Sequence, residues 1–238
     1  MRLMTWNCQV GGFRRKGARA AALRPTVLVV PESENIDGEM VLAGDVQPTT
    51  RMWLGGTTTK RGVGVLSYTG AAIHKARRIG DPIDFFVPLE VSADGVEFQV
   101  VAVWTAATTD RATRYRQADE GLDRYADWIR RRGTVVMGDF NNNASYAPGK
   151  KAWRELEDRL RPLGLVSAYH ERFKEGFGAE SRPTHYTHRK RERPFHLDYC
   201  FVPASWASRI EKVTVGKYDE WSDVSDHMPV IVDVSAGG

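Results

Sequence analysis

Cysteine is nearly missing from this sequence: 238 residues contain two, Cys8 and Cys200. They are far apart and in no metal-ligand spacing, which excludes a thiolate metal site, and both sit in strand-like runs that read as buried free thiols. Long apolar runs are missing too. None approaches the roughly 20 residues of a membrane helix, and the opening Met-Arg-Leu-Met-Thr-Trp-Asn has no signal-peptide core. The expectation is a soluble protein in a reducing, cytoplasmic setting, with no membrane and no obligate protein partner indicated. There is no internal repeat, low-complexity tract or linker-like break, so residues 1–238 read as one domain. Neither charge sign dominates: 34 Lys and Arg face 30 Asp and Glu, for a net charge of +4. The resulting pI of about 9.1 permits an anionic partner without demanding one. What remains is the composition of a globular protein, 42% hydrophobic and 27% charged, and long enough to bury a sizeable core.

The chain is organised around Val135-Val136-Met137-Gly138-Asp139-Phe140-Asn141. Three apolar residues read as a buried strand, Gly138 lets the backbone turn, and Asp139 and Asn141 follow at the strand end. Other strands end in the same way. Residues 2–7 lead to Asn7, and Val27–Val30 run into Pro31-Glu32. Short strands follow at 52–54, 63–67, 72–79, 85–91 and 96–104, with Asp94-Gly95 as a two-residue hairpin turn. Arg14–Leu23 is rich in Ala and Arg and reads as helical. Thr108–Arg132 is the clearest helix, with Tyr115, Ala118, Leu122, Tyr125 and Ile129 at helical spacing and Thr109 or Asp110 as its cap. Lys150–Leu160 reads as a second long helix, and 170–183 as a polar surface loop. Strands at 196–202, 210–215 and 228–234 finish the chain. The hairpins argue for mostly antiparallel or mixed sheets with helices interspersed.

The polar residues at these strand ends are Asn7, Glu32, Asp139, Asn141, Asp198, Asp226 and His227. They are carboxylates, carboxamides and one imidazole, and such oxygen-rich sets suit Mg²⁺, Mn²⁺ or Ca²⁺ rather than zinc. Asp198 lies inside an apolar strand, where a carboxylate needs a partner.

Five short motifs carry a resemblance. Thr-Trp-Asn at 5–7, Val-Val-Pro-Glu at 29–32, Gly-Asp-Phe-Asn at 138–141, His-Leu-Asp-Tyr at 196–199 and Ser-Asp-His at 225–227 follow one another in the order found in the endonuclease/exonuclease/phosphatase superfamily. The chain resembles that superfamily over nearly its whole length. The resemblance implies an α+β fold of the DNase I-like type, a four-layer α/β/β/α sandwich of two packed mixed β-sheets flanked by helices, with the site at one edge. It implies a Mg²⁺-dependent phosphoester hydrolase, with Mn²⁺ as the alternative metal, most readily a nuclease cleaving DNA or RNA by in-line attack of water. By motif, Glu32 would ligate the metal with Asn7 and Asp226 close by. Asp139 would orient or deprotonate the water, and Asn141 would hold the water or a phosphate oxygen. His227 would contact the phosphate, with Asp198 on its other ring nitrogen.

The chain departs from the family pattern in three places. Pro31 replaces the usual Gln before Glu32, Gln9 stands where AP endonucleases carry an acidic residue, and Trp104 falls where nucleases carry His or Tyr. Indole donates one hydrogen bond and carries no charge, so Trp104 is either a base-stacking contact or core. Thr187–Arg193 is a basic run. With His185 it offers Arg189, Arg191 and Arg193 as a phosphate-backbone rail, interleaved with Tyr186. A solvated charged face is the competing reading of that run. Two other functions stay open: a phosphatase or phosphodiesterase acting on a small or lipid-linked phosphate, and a catalytically silent binding module of the same fold.

Overall fold

The structure is a computed structural model describing residues 1–38, 42–55, 60–77, 79, 83–105, 111–145 and 147–235, with the side chains of 111–115 and 147–149 outside that description. The strands are β1 (Arg2–Thr5), β2 (Val27–Ser33), β3 (Thr50–Gly55), β4 (Gly62–Ser67), β5 (Ala72–Lys75), β6 (Phe86–Ala93), β7 (Val96–Trp104), β8 (Thr134–Asp139), β9 (Leu165–Ser167), β10 (His185–Tyr186), β11 (Pro194–Phe195), β12 (Asp198–Pro203), β13 (Ile210–Val215) and β14 (Val230–Val234). The α-helices are α1 (Phe13–Lys16), α2 (Ala18–Ala22), α3 (Arg111–Arg124), α4 (Ala126–Arg131), α5 (Ala147–Leu160), α6 (Ala168–Phe173) and α7 (Tyr218–Trp221).

Twelve of the strands form two six-stranded sheets, ordered β13-β14-β1-β2-β4-β3 and β5-β6-β7-β8-β12-β9, while β10 and β11 make a small ribbon. Both sheets are mixed, because β1 runs parallel to β2 and β7 parallel to β8 while the other pairs are antiparallel. The central strands are apolar on both faces, and the period-two alternation separates two cores. Leu3, Val27 and Val29 face the other sheet, where Val100, Ala102, Val135 and Met137 meet them. Their neighbours Met4, Leu28 and Val30 point outward onto Phe13, Ala20, Ala21 and Trp221 from α1, α2 and α7. On the opposite outer face, Val101, Val103 and Val136 pack against Leu122, Ile129, Trp153 and Leu156 from α3, α4 and α5. The result is the four-layer sandwich that the resemblance implied.

Several boundaries differ from the expectations. The long helix is interrupted at Tyr125, whose buried ring stacks on Phe86 and whose hydroxyl accepts the Ile83 N–H; the expected cap at 108–110 lies outside the described residues. The Arg14–Leu23 helix is two short ones meeting at Gly17, where a Cβ would come within 2.8 Å of Phe13. Part of the expected loop at 170–183 is helical: α6 begins at Ala168, and the Ser167 side chain caps it by accepting the His170 N–H. Strand β5 stops at Lys75 rather than 79. The Asp94-Gly95 turn is as expected, with both residues at positive φ between paired Ala93 and Val96.

Candidate active site

The strand directions bring the polar ends together at one end of the sandwich. Strands β1, β2 and β8 end there, and β12 and β14 start there. Parallel pairing puts Trp104 beside Asp139, and antiparallel pairing puts Asp198 across from Asp139. The turn after β8 depends on Gly138. Its φ is 151°, and a Cβ there would lie 1.8 Å from the Val103 carbonyl oxygen, so this contact between β7 and β8 admits only glycine.

Asp139 is buried and accepts three hydrogen bonds. Its Oδ1 accepts the Asn141 N–H at 2.8 Å, and its Oδ2 accepts both the Asn141 and the Asn7 side-chain amides at 2.9 Å. Asn141 sits at φ 48°, a strained conformation that turns its amide back onto Asp139 and onto the Thr105 carbonyl. Burial, reinforced by the charge of Asp198, raises the pKa of Asp139 to about 7. Opposite it, His227 Nδ1 lies 2.8 Å from Asp198 Oδ2, with both groups buried. Burial alone would lower the imidazole's pKa, but the charges of Asp198, Asp139 and Asp226 outweigh it and raise the value to about 10. His227 is therefore an imidazolium at neutral pH, with Nδ1 committed to Asp198 and Nε2 facing the site.

Asn7 links the two halves. Its amide nitrogen donates to Asp139 at 2.9 Å and to Glu32 Oε1 at 3.3 Å, while its oxygen accepts the Gln9 N–H. Its amide thus lies between the Asp139 and Glu32 carboxylates. Glu32, at φ 58°, turns its carboxylate to the rim, where Oε2 accepts the Val10 N–H at 2.8 Å and approaches Arg61 at 3.5 Å. Asp226 lies beside two imidazoles, 3.7 Å from His185 and 4.0 Å from His227.

The nucleic-acid candidates separate on inspection. His185 packs against His227 with ring centroids 4.5 Å apart, which places it within the cluster. Arg189 is bound inward: its guanidinium donates to Gln9 Oε1 at 2.9 and 2.6 Å and to the carbonyls of Asp223 and Val224. Arg191 pairs with Asp219 and lies over the Tyr218 ring, whereas Arg193 is exposed. Trp104 is 7% exposed and packs on Phe85, with centroids 4.8 Å apart, which places it in the core.

Two residues without an expected role prove central. Ser225 Oγ donates to the Asn7 carbonyl at 2.7 Å and accepts the His227 N–H at 3.0 Å, tying the first strand end to the last. Thr184 Oγ1 accepts the N–H groups of Leu197 and Asp198, which fixes the start of β12. The Ser225-Asp226-His227 turn carries a local signal for the first, since a serine hydroxyl commonly accepts the N–H two residues on. Nothing local marks the second.

Among the described residues, the side chains close enough to share a cation are His185, Asp226 and His227, and Asp139, Asp198 and His227; Asp226 Oδ1 and Asp198 Oδ1 are buried without a hydrogen-bond partner, which fits a site built to receive positive charge, and Glu32 adds a carboxylate at the rim. Chemically, the arrangement offers a carboxylate placed to hold water, a cation-binding rim and an imidazolium to meet an anion.

Comparison with known proteins agrees with this geometry. No curated protein sequence matches the chain. Among solved structures, the chain is similar to the 3' phosphatase NExo from Neisseria, solved with a product DNA hairpin, at TM-score 0.71 and 20% identity, covering 99% of this chain and 100% of that one. It is also similar to the AP endonuclease LMAP from Leishmania major, at TM-score 0.74 and 14% identity over 99% and 88% of the two chains. An AP endonuclease from Archaeoglobus fulgidus gives TM-score 0.69 and 16% identity over 99% and 100%. At these identities the likeness establishes the shared fold, and the Endonuclease/Exonuclease/phosphatase family model matches residues 4–227. With the fold, the ordered strand-end motifs and that match together, the chain belongs to the endonuclease/exonuclease/phosphatase family.

Proposed function

We propose that this protein is a divalent-metal-dependent phosphoester hydrolase acting on nucleic acid. The observation that carries the reading is the opposition of a buried Asp198–His227 pair, 2.8 Å apart, to a carboxylate, Asp139, held by two side-chain amides and a backbone N–H. Asp139 takes the proton of the attacking water, and its raised pKa makes it a competent base near neutrality. The His227 imidazolium binds a non-bridging phosphate oxygen and stabilises the charge that grows there, while Asp198 fixes the ring and keeps it protonated. Asn141 and Asn7 hold Asp139 in place. Glu32 and Asp226 would hold Mg²⁺ or Mn²⁺, which when bound supplies Lewis-acid stabilisation of the phosphate and the leaving oxygen. Polymer substrates are favoured because the solved relatives include nucleases and a DNA-bound 3' phosphatase. Arg193, exposed at the turn between β10 and β11, would supply a backbone contact.

The test is hydrolysis of labelled single-stranded DNA, double-stranded DNA, RNA and 3'-phosphorylated DNA with Mg²⁺, Mn²⁺ or EDTA. Cleavage should require metal. Asp139→Ala or His227→Ala should each lower turnover by at least ~100-fold, the typical effect of losing one electrostatic contact to a transition state, with the circular dichroism spectrum retained. Near-normal turnover in either variant would remove that residue from the mechanism. Metal-dependent release of inorganic phosphate from small esters, with no polymer cleaved, would move the substrate to small phosphates.

A further inference from the structure

In the segment between Asn7 and α1 a single ammonium gathers main-chain carbonyls. Lys16 Nζ donates to three main-chain carbonyls, Cys8 at 2.6 Å, Gln9 at 2.7 Å and Gly11 at 2.9 Å. All three of its N–H donors are thereby used, and the loop is wrapped around it as around a bound cation. The loop needs such a hold. Gln9, Val10, Gly11 and Gly12 are successive left-handed residues, at φ 52°, 59°, 74° and 83°. For Val10 this is a conformation that a branched Cβ opposes, and its side chain is 62% exposed, so apolar packing does not stabilise it. The conformation instead aims two N–H groups at the site: Gln9 N–H at Asn7 Oδ1, 2.9 Å away, and Val10 N–H at Glu32 Oε2, 2.8 Å away.

We propose that Lys16 is a positioning residue for the metal-holding carboxylate: by gathering the three carbonyls it keeps the Val10 N–H on Glu32 and the Gln9 N–H on Asn7. The inference rests on the metal reading of Glu32 given above. It predicts that an external amine can replace the side chain, because the cradle recognises an ammonium rather than the lysine stem.

The experiment measures Mn²⁺ binding calorimetrically on the full chain, together with backbone amide exchange at Gln9 and Val10 by NMR. Lys16→Ala should weaken Mn²⁺ binding about tenfold, the lower range for losing a residue that orients a ligand. Amide exchange at Val10 should accelerate, and added propylammonium should restore both. Lys16→Met, which fills the same space without a charge, should lose affinity and resist rescue. Unchanged Mn²⁺ affinity and Val10 exchange in Lys16→Ala, or loss without rescue by the amine, would overturn the proposal. If the wild type itself does not bind Mn²⁺, the metal reading fails. The amide exchange then still decides whether Lys16 sets the loop. Should Lys16→Ala not fold, the same measurements on Lys16→Met against Lys16→Arg replace it, with retained Val10 protection in Met counting against the proposal.

Discussion

At the scale of single residues, the two titrations of the site define its working range. In the proposed mechanism Asp139 is ionised to accept a proton, and burial raises its pKa to about 7. His227 must be protonated, and its pKa lies at about 10. The turnover rate should therefore trace a bell, rising as pH passes about 7 and falling as it passes about 10. Asp198→Asn should pull the alkaline limb toward neutrality, read from initial rates across pH 5–11; an alkaline limb unmoved by that change would dissociate it from His227. The stability linkage has the sign of a raised histidine. Its contribution is fully present below the ordinary value of 6.5 and is lost as pH rises through about 10. Gly138 is the second residue-scale constraint. Gly138→Ala forces a Cβ against the Val103 carbonyl at positive φ and should destabilise by at least about 3 kcal/mol, measured by urea unfolding. The positions of these groups were legible in the sequence, because acids and amides after apolar runs stand at strand ends, while the roles proposed for them came from the resemblance. The direction in which Asn7 points was not, since it is set by the Gln9 N–H, a product of the loop's strained backbone.

At the scale of elements, the segment 187–193 changes meaning between sequence and structure. A run of arginines reads as a solvated or phosphate-binding face, because side-chain partners distant in sequence are invisible there. In the structure Arg189 crosses to Gln9 and to the carbonyls just before Ser225, and so staples three site-forming segments together. His188 and Arg189 both sit at positive φ to allow it. Arg189→Ala should cost about 1.5–3 kcal/mol, the range for hydrogen bonds to a charged group, and should raise KM and lower kcat together. Arg193→Ala should weaken nucleic-acid binding alone. Equal effects of the two on stability, by thermal melting, would return Arg189 to the surface rail. The same limit explains the helices. Period and composition located α3 with α4, and α5, but the interruption at Tyr125 follows from Phe86, a partner on another strand. Trp104 likewise could be base contact or core until Phe85 was seen against it.

At the scale of the molecule, buried strands were readable from continuous apolar runs and one hairpin from Asp94-Gly95, whereas the strand order was not. Nothing local says that β14 lies between β13 and β1, with Met4 across from Ile231. That placement sets the order in which the site can assemble. Asn7, Glu32, Asp139 and Asp198 all leave the ribosome before Asp226 and His227 do, and the last two reach the site only when β14 takes its place beside β1 and Ser225 closes onto Asn7. Until then Asp139 and Asp198 lack the imidazole that lies opposite them in the folded chain. The cluster is therefore complete only once the segment that carries Asp226 and His227 has docked beside β1.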